Sequence, residues 1–499
     1  MRIGGIRPAL AFAACAAVAI GVTACAPAAG QAAARPATIK PATIKPASTT
    51  PARIPRTVSA VQRTAFAATV TVHTGGPVIG RVTNRYIGLS FESGTLNSGK
   101  YDNVGDVAQL LRNLGRSVMR FGGNTVDTEY YGINASALAG LARLAKASGW
   151  TVLFSEDLAH FNAAEVTRDA HAVSAALGKR LSALACGNEP DLFPNTGLRP
   201  RPYTEDEYQA QVAPCLAAIR KGAPTAPIEG PDTSGYGWLP GYGALEAGKL
   251  SALGQHYYPM GCGLGGRTPA TFAAAMLSAG QAAKEATFFA TAAKAAAIAR
   301  APLRISETNT ACNGGAPGVS NTYASALWAV DYLFTGLEHG VSGFNFHGGL
   351  GGDCWGYTPL CQVGWNEYAA QPIYYGLLLA RLLGTGKLLP DSVATPSAAD
   401  HVTAFALRPP YGDGSRLIVE DLTDAPADVT LQVGRDPSKA AVWHLTGPSL
   451  LATDGVRIQG AAVRGNGTFT PGRPATVRCS GGRCRLTLAP YSAAVVAVS

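Results

Sequence analysis

The strongest constraint on this chain is a rhythm. From residue 86 to residue 347, short β-rich runs alternate with longer Ala- and Leu-rich segments of helical character. The runs that read as strands are 86–92, 117–124, 151–155, 182–188, 227–231, 252–257, 303–307 and 343–347; helical segments between them include 107–114, 136–147, 205–221, 270–300 and 323–340. Parallel strands need a crossover connection, and a helix is the usual one, so this alternation predicts βα units. Eight units over about 260 residues fit a closed (β/α)8 barrel better than an open doubly wound sheet. No Gly-x-Gly-x-x-Gly follows the first run, which argues against a dinucleotide-binding sheet.

After Leu388 the texture changes. Alternating runs at 402–407, 416–420, 429–433, 441–445, 485–488 and 493–498 are separated by Gly, Pro and Asp turns, the pattern of an all-β sandwich. The expected fold class is therefore α/β, a (β/α)8 barrel over 67–388 with a C-terminal all-β sandwich over 389–499. An early β run at 69–73 falls outside the barrel count, and residues 67–80 are free to pair with the sandwich.

Charge first suggests a different protein. The 499 residues hold 41 Lys and Arg against 32 Asp and Glu, a net charge of +9, which would suit a polyanion partner. Yet the first 65 residues carry eight of those basic groups and no acidic one, leaving 33 against 32 for the rest. The part that can fold is nearly neutral, so bulk charge gives no case for nucleic acid. Arg2 and Arg7 form a positive start, and the apolar stretch from Ala9 to Ala24 is short for a membrane span, so residues 1–24 read as a signal peptide. Val22-Thr23-Ala24-Cys25 resembles a bacterial lipobox, which would lipidate Cys25; the alternative is simple secretion. Residues 25–66 are Ala, Pro, Thr and basic groups, with Pro-Ala-Thr-Ile-Lys repeated at 36–40 and 41–45, and are expected to be an extended tether. The expected location is the surface or surroundings of a bacterium, with membrane contact through the lipid alone.

Cysteine usage agrees with export. Without Cys15 and Cys25, eight remain, an even number that suggests disulfides. Cys354 with Cys361 and Cys479 with Cys484 are close enough for local loops, Cys186 with Cys215 is favoured next, and Cys262 and Cys312 stay open. No Cys or His cluster has metal-site spacing, and His256 and His347 alone do not make one. No metal and no cofactor are expected.

Barrel active sites gather at the C-terminal ends of the strands. The fourth run ends Ala185-Cys186-Gly187-Asn188-Glu189-Pro190-Asp191 and the seventh Arg304-Ile305-Ser306-Glu307-Thr308-Asn309. In a closed barrel these two ends face each other across the mouth. Retaining glycoside hydrolysis needs two carboxyl groups about 5–5.5 Å apart, one to protonate the leaving oxygen and one to attack the anomeric carbon. Opposed strand ends can supply that pair.

Several motifs in order strengthen the point. Arg120-Phe121-Gly122-Gly123-Asn124, Gly187-Asn188-Glu189-Pro190-Asp191-Leu192-Phe193, Gly230-Pro231-Asp232, His256-Tyr257-Tyr258 and Ser306-Glu307-Thr308 followed by Gly314-Gly315-Ala316-Pro317 resemble glycoside hydrolase family 79 of the clan A retaining enzymes, the family of β-glucuronidases and heparanases. The resemblance implies Glu189 as general acid/base, Glu307 as nucleophile, and Asn188 as a partner of the sugar 2-hydroxyl. Glu92 and Asn124 match sugar-binding positions. Tyr257 matches the tyrosine beside the nucleophile, with Tyr258 the competing choice; Arg120 has a competing structural reading as an ion-pair partner. On the loop after the eighth run, Trp355 and Tyr357 are candidates for subsite contacts.

One stretch departs from the pattern. In glucuronate-cleaving members a Tyr stands five positions after the nucleophile, ahead of glycines whose amides hold the C6 carboxylate. Here that position is Cys312, followed by Asn313, while Gly314 and Gly315 match. The expected activity is thus a retaining β-glycosidase with a glycoside substrate, β-glucuronide first. A neutral or 4-O-methylated sugar is the alternative, and a non-catalytic carbohydrate-binding surface lipoprotein the alternative from another class. The sequence carries no signature of oligomeric state.

Overall fold

Strands covered on both faces are usually near-continuous apolar runs; most of the eight central strands are, whereas Glu229–Thr233 and Leu303–Thr308 carry buried charged groups. The structure, a computed structural model, describes residues 63–498 apart from Asp353, Asp413 and Arg435. The expected signal peptide, Cys25 and nearly all of the tether lie outside the described residues. Two strands precede the barrel, β1 (Phe66–Val72) and β2 (Gly80–Val82). The barrel strands follow: β3 (Ile87–Glu92), β4 (Val118–Gly122), β5 (Thr151–Glu156), β6 (Leu181–Cys186), β7 (Glu229–Thr233), β8 (Ala252–Tyr257), β9 (Leu303–Thr308) and β10 (Val341–His347). All pair in parallel, in the order β6-β5-β4-β3-β10-β9-β8-β7. A bridge between Leu184 and Ile228 closes the ring, with the Leu184 N–H donating to Pro227 O at 2.9 Å.

The interior of this barrel is not uniformly apolar. Val118, Leu153, Ala183 and Ala185 form a small cluster of their own, while Arg120, Glu229, Asp232, Arg304 and Asn345 are buried beside it. Space for these charges comes from residues without a side chain: a Cβ on Gly254 would lie 2.1 Å from Glu229 Oε1 and 2.3 Å from Asp232 Oδ1. Arg304 is held by Asn345 Oδ1 at 2.6 Å, and Asn345 Nδ2 donates to Leu89 O and Val118 O at 2.9 Å, so these polar side chains cross-link strands that are distant in sequence.

The helices follow the predicted rhythm with one change. The expected single helix over 270–300 is two, Pro269–Met276 and Ala279–Ala299. Ser278 breaks it: its Oγ accepts the Gln281 N–H at 3.2 Å, an N-cap that starts a new helix rather than continuing the old one. The helix Tyr323–Glu338 is buried around almost its whole circumference, as an all-round apolar sequence requires. The barrel covers one side and the sandwich the other, where Tyr323 Oη donates to Leu445 O at 3.0 Å and Phe334 stacks on Phe405 at 5.2 Å.

The sandwich strands form one path with the N-terminal pair. β1 runs parallel to Ala427–Gln432 and antiparallel to Asp391–Ala394, and β2 pairs with Gly386–Leu389. The early β run therefore does belong to the sandwich, whose own core includes Val70, Leu417, Val429 and Val496. Four disulfides join Cys186–Cys215, Cys262–Cys312, Cys354–Cys361 and Cys479–Cys484.

Candidate active site

Glu307 lies on β9, Glu189 follows β6 by three residues, and the closed ring brings both to the mouth. One carboxylate oxygen from each and a ring nitrogen of His256 lie within 4.8 Å of one another. Two further groups hold Glu307. Arg120 Nη1 donates to Oε2 at 2.7 Å, and the Tyr258 hydroxyl donates to Oε1 at 2.7 Å. Burial alone would favour the neutral acid, but the charges of His347, His256 and Arg120 and the Tyr258 hydrogen bond outweigh it and hold the carboxyl below its ordinary range. Glu307 is thus kept ionised.

Glu189 has a different setting. Its backbone is left-handed at φ 47°, its N–H donates to Asp232 O at 2.8 Å, and its Oε1 is 3.0 Å from His256 Nδ1. The turn Pro190–Leu192 starts directly after it, which aims the side chain over the mouth rather than along a helix. Donor atoms of Glu189, His256 and Glu307 converge, and they are the side chains among the described residues that could hold a metal. Both oxygens of Glu307 are already hydrogen-bonded, one of them to a guanidinium, so the arrangement suits a paired anion better than a cation ligand.

Arg120 organises the floor. Besides Glu307 it reaches Asn188 Oδ1 at 2.9 Å, Asp232 Oδ2 at 3.1 Å and Ser90 Oγ at 3.1 Å. Asp232 in turn accepts from the Ser306 hydroxyl and lies 3.7 Å from His256 Nε2. Asn188 is fixed at both ends, its N–H donating to Asp127 Oδ2 at 2.7 Å and its Nδ2 to Asn124 Oδ1 at 3.3 Å. Glu92 accepts the Thr125 N–H at 2.9 Å through Oε2, and its Oε1 lies 3.2 Å from His347 Nε2. Desolvation opposes the charge on His347, but Glu307 and Glu92 raise its pKa above the ordinary histidine value.

Of the expected site residues, Glu189, Glu307, Glu92, Asn124, Asn188, Tyr258 and Tyr357 come together at the mouth. Tyr257 does not. Side chains alternate along β8, so His256 and Tyr258 face the mouth while Tyr257 turns outward and stacks on Phe288 with centroids 3.7 Å apart. The choice between the adjacent tyrosines falls on Tyr258. Tyr357 packs against Tyr258 at 6.1 Å and against His347 at 5.8 Å, and its N–H donates to Gly314 O at 3.1 Å. Cys312 is in a disulfide, so its sulfur has no hydrogen to donate. Beyond it Asn313, Gly314 and Gly315 all have positive φ, 55°, 85° and 106°. A Cβ on Gly315 would meet Ser320 Oγ at 2.7 Å, so this turn needs glycine there. Trp355 is 57% exposed, and its ring would be 3.7 Å from a Cβ on Gly314, which puts an aromatic face at the rim.

Sequence reasoning gave no role to Asp232, Ser306 or Ser90 and left His256 as a failed metal ligand. Asp232 and His256 did stand inside quoted motifs, which was the available signal.

The fold is one found among solved glycoside hydrolases. A 4-O-α-L-rhamnosyl-β-D-glucuronidase from Fusarium oxysporum superposes with a TM-score of 0.70 at 21% identity, covering 86% of this chain and 99% of that one. A GH51 arabinofuranosidase from Xanthomonas axonopodis pv. citri gives 0.64 at 15% identity, covering 87% and 100%. In sequence, the chain is similar to a β-glucuronidase of Neurospora crassa, 26% identical over 375 residues, 63% of this chain and 64% of the relative. A β-glucuronidase of Aspergillus niger is 32% identical over 108 residues, 21% of this chain and 19% of the relative. The chain's matches thus span under two thirds of the length of these relatives. No family model matches the chain. The relatives' names agree with the resemblance to glycoside hydrolase family 79 that the motifs carry.

Proposed function

We propose that the chain is a retaining β-glycoside hydrolase of the β-glucuronidase type, working by double displacement. One observation carries this reading: the Glu189 and Glu307 carboxylates approach within 4.8 Å. That approach fits a retaining pair, about 5–5.5 Å apart, better than an inverting pair at about 6.5–9.5 Å. In the first step a Glu307 oxygen bonds to the anomeric carbon as the glycosidic C–O bond breaks, and Glu189 gives its proton to the leaving oxygen. In the second, Glu189 takes a proton from water, the water oxygen bonds to the same carbon, and Glu307 departs as carboxylate. Asn188 would meet the 2-hydroxyl, strengthening its bond as charge develops. Glu92 and Asn124 would hold other hydroxyls, Tyr258 orients the nucleophile, and Tyr357 borders the sugar.

The Asn313–Gly314–Gly315 turn would offer backbone amides to a C6 carboxylate. Because Cys312 is tied to Cys262, no phenol assists there, which favours a second reading: a neutral or 4-O-substituted sugar. The Fusarium oxysporum relative is named for a 4-O-rhamnosylated glucuronide, in keeping with the substituted form. Assay of 4-nitrophenyl β-glucuronide beside the β-glucoside, β-xyloside and β-galactoside separates these readings. Fastest turnover of the glucuronide is expected; a preference for a neutral sugar selects the second reading, and turnover of none, with sugar binding retained, sinks the enzyme.

We also propose export, with 1–24 as signal peptide, 25–66 as tether and lipidation at Cys25, so that the membrane is met through the lipid alone. The charge pattern and the four disulfides support it. A Cys25→Ser chain should leave the membrane fraction of a bacterial host; retention there would refute lipidation.

A further inference from the structure

We propose that Asp127 is a positioning residue for the proton transfer: it fixes the turn that presents Glu189, and so sets where the acid meets the leaving oxygen. The inference rests on the reading of Glu189 as general acid/base.

The turn Gly187–Asn188–Glu189 is held against its own preference. Gly187 and Glu189 are both left-handed, at φ 75° and 47°, and for a residue with a Cβ that conformation persists only where the surroundings fix it. Three N–H groups do the fixing. That of Gly187 donates to Glu156 O at 2.8 Å and that of Glu189 to Asp232 O at 2.8 Å, both main-chain oxygens. Between them the Asn188 N–H donates to Asp127 Oδ2 at 2.7 Å, so of the three this anchor depends on a side chain.

Asp127 anchors more than one loop. It follows the turn Asn124–Val126 after β4, and its own N–H donates to Asn124 O at 3.3 Å. Its Oδ1 accepts the N–H groups of Leu158 and Ala159, on the loop after β5, at 2.9 and 3.0 Å. One carboxyl therefore joins the segments that follow β4, β5 and β6, three neighbours in the ring of strands. It is 1% exposed, and its partners are three main-chain N–H groups. A buried acid is a poor way to fill space, because its cost is offset only by the hydrogen bonds it makes. Glycine lets the turn close onto this anchor: a Cβ on Gly187 would lie 2.9 Å from Leu158 Cβ and 3.6 Å from Asp127 Oδ2.

His256 touches the Glu189 carboxyl itself, whereas Asp127 acts one residue back, through the main chain. On the opposite side the turn is clasped to the loop after β7, where Asp191 Oδ1 and Oδ2 accept the N–H groups of Ser234 and Gly235 at 3.0 and 2.7 Å. With Asp127 altered, that clasp and the two main-chain anchors remain, so the turn shifts rather than unfolds. A shift of about 1 Å at a catalytic group can cost on the order of 10²-fold in rate.

The test uses leaving groups. A 2,4-dinitrophenolate departs without a proton, whereas an unsubstituted phenolate needs one, so the phenyl glycoside alone reports on where the acid stands. Phenyl and 2,4-dinitrophenyl β-glycosides of the sugar that the native protein turns over fastest are assayed with native, Asp127→Asn and Glu189→Ala full-length protein. In Asp127→Asn the amide oxygen can keep the Leu158 and Ala159 N–H groups while its NH2 meets the Asn188 N–H donor to donor, which frees the turn at constant volume. kcat/KM for the phenyl glycoside should fall about tenfold to a hundredfold, and for the dinitrophenyl glycoside by less than about threefold. Equal losses on both substrates would make Asp127 an ordinary structural residue, and no loss on either would make the anchor idle; each overturns the proposal. Glu189→Ala should show the same selectivity with a larger loss. Equal losses in that variant would refute the acid/base reading itself, and the proposal with it, so the two failures are told apart. Thermal melts check folding; should Asp127→Asn fail to fold, Asp127→Ser, whose hydroxyl is too short to span both loops, is read in the same way.

Discussion

The mouth of the barrel and the scaffold behind it both bury carboxyl groups, with opposite consequences. At the mouth three acids meet a cation: Glu307 and Asp232 share Arg120, and the half-buried Glu92 meets His347. All three are held below their ordinary pKa although burial pushes the other way. In the scaffold, Glu285 is hydrogen-bonded by Gln281 and Trp328 and is pushed up to about 8 by burial, reinforced by Asp331, and burial beside Asp331 raises Glu420 well above its usual value. Equal burial therefore does not fix protonation; the partner does.

The sharpest way to break this contrast is to remove the anion proposed as the nucleophile. Glu307→Gln keeps the shape and the Tyr258 contact, and should lower turnover on the order of 10⁵-fold, as loss of a nucleophile does. Stopped assays and trapping of the glycosyl-enzyme by mass spectrometry check it, and appreciable residual turnover would refute the role.

Next in size is the loss of the shared cation. Arg120 is fully buried, so Arg120→Met takes from Asp232 and Glu307 their shared guanidinium and should destabilise the fold by about 3–5 kcal/mol. The sign with pH follows from the lowered values: the stabilisation from these acids is present above the unfolded carboxylate range of about 4 and is lost as pH falls through their folded values. Denaturation at pH 7 and pH 2 should therefore show a large gap between the two proteins at pH 7 that narrows at pH 2. An equal gap at both would mean Arg120 acts by packing.

The scaffold should answer with the opposite sign and a smaller effect. Glu285 keeps its proton when folded up to about 8, whereas unfolded it ionises near 4.5, so its cost grows as pH rises between those values. Glu285→Gln removes that cost and should raise the melting temperature by about 2–4 °C at pH 7.5, with no gain at pH 4. A loss of stability at pH 7.5 would show that Glu285 is paired after all.

Much of this molecule is legible locally. The alternation of runs predicts the eight barrel strands, and Ala252–Tyr257 has the bounds the sequence suggests. Glu189 and Glu307 stand out because each ends or follows a β run among turn residues, a signal confined to a few neighbours. Ser278 was missed because an Ala-rich segment on both sides masks a single N-cap whose effect depends on one side-chain rotamer.

What the sequence by itself determined is thus the order of elements, the two carboxylates and the near-neutral charge of the folding part, all properties of composition and short-range period. The tertiary structure decided the rest. Tyr258 rather than Tyr257 reaches Glu307 because side-chain parity along β8 is set by its pairing with β9, where the register shifts between Gln255 and His256. Cys262 meets Cys312 because two loops 50 residues apart close over one mouth. Arg120 serves Glu307 across 187 positions of chain. Such contacts have no local period to betray them; they exist only once the ring of strands has closed and the low-dielectric interior makes an unpaired charge too costly to leave alone.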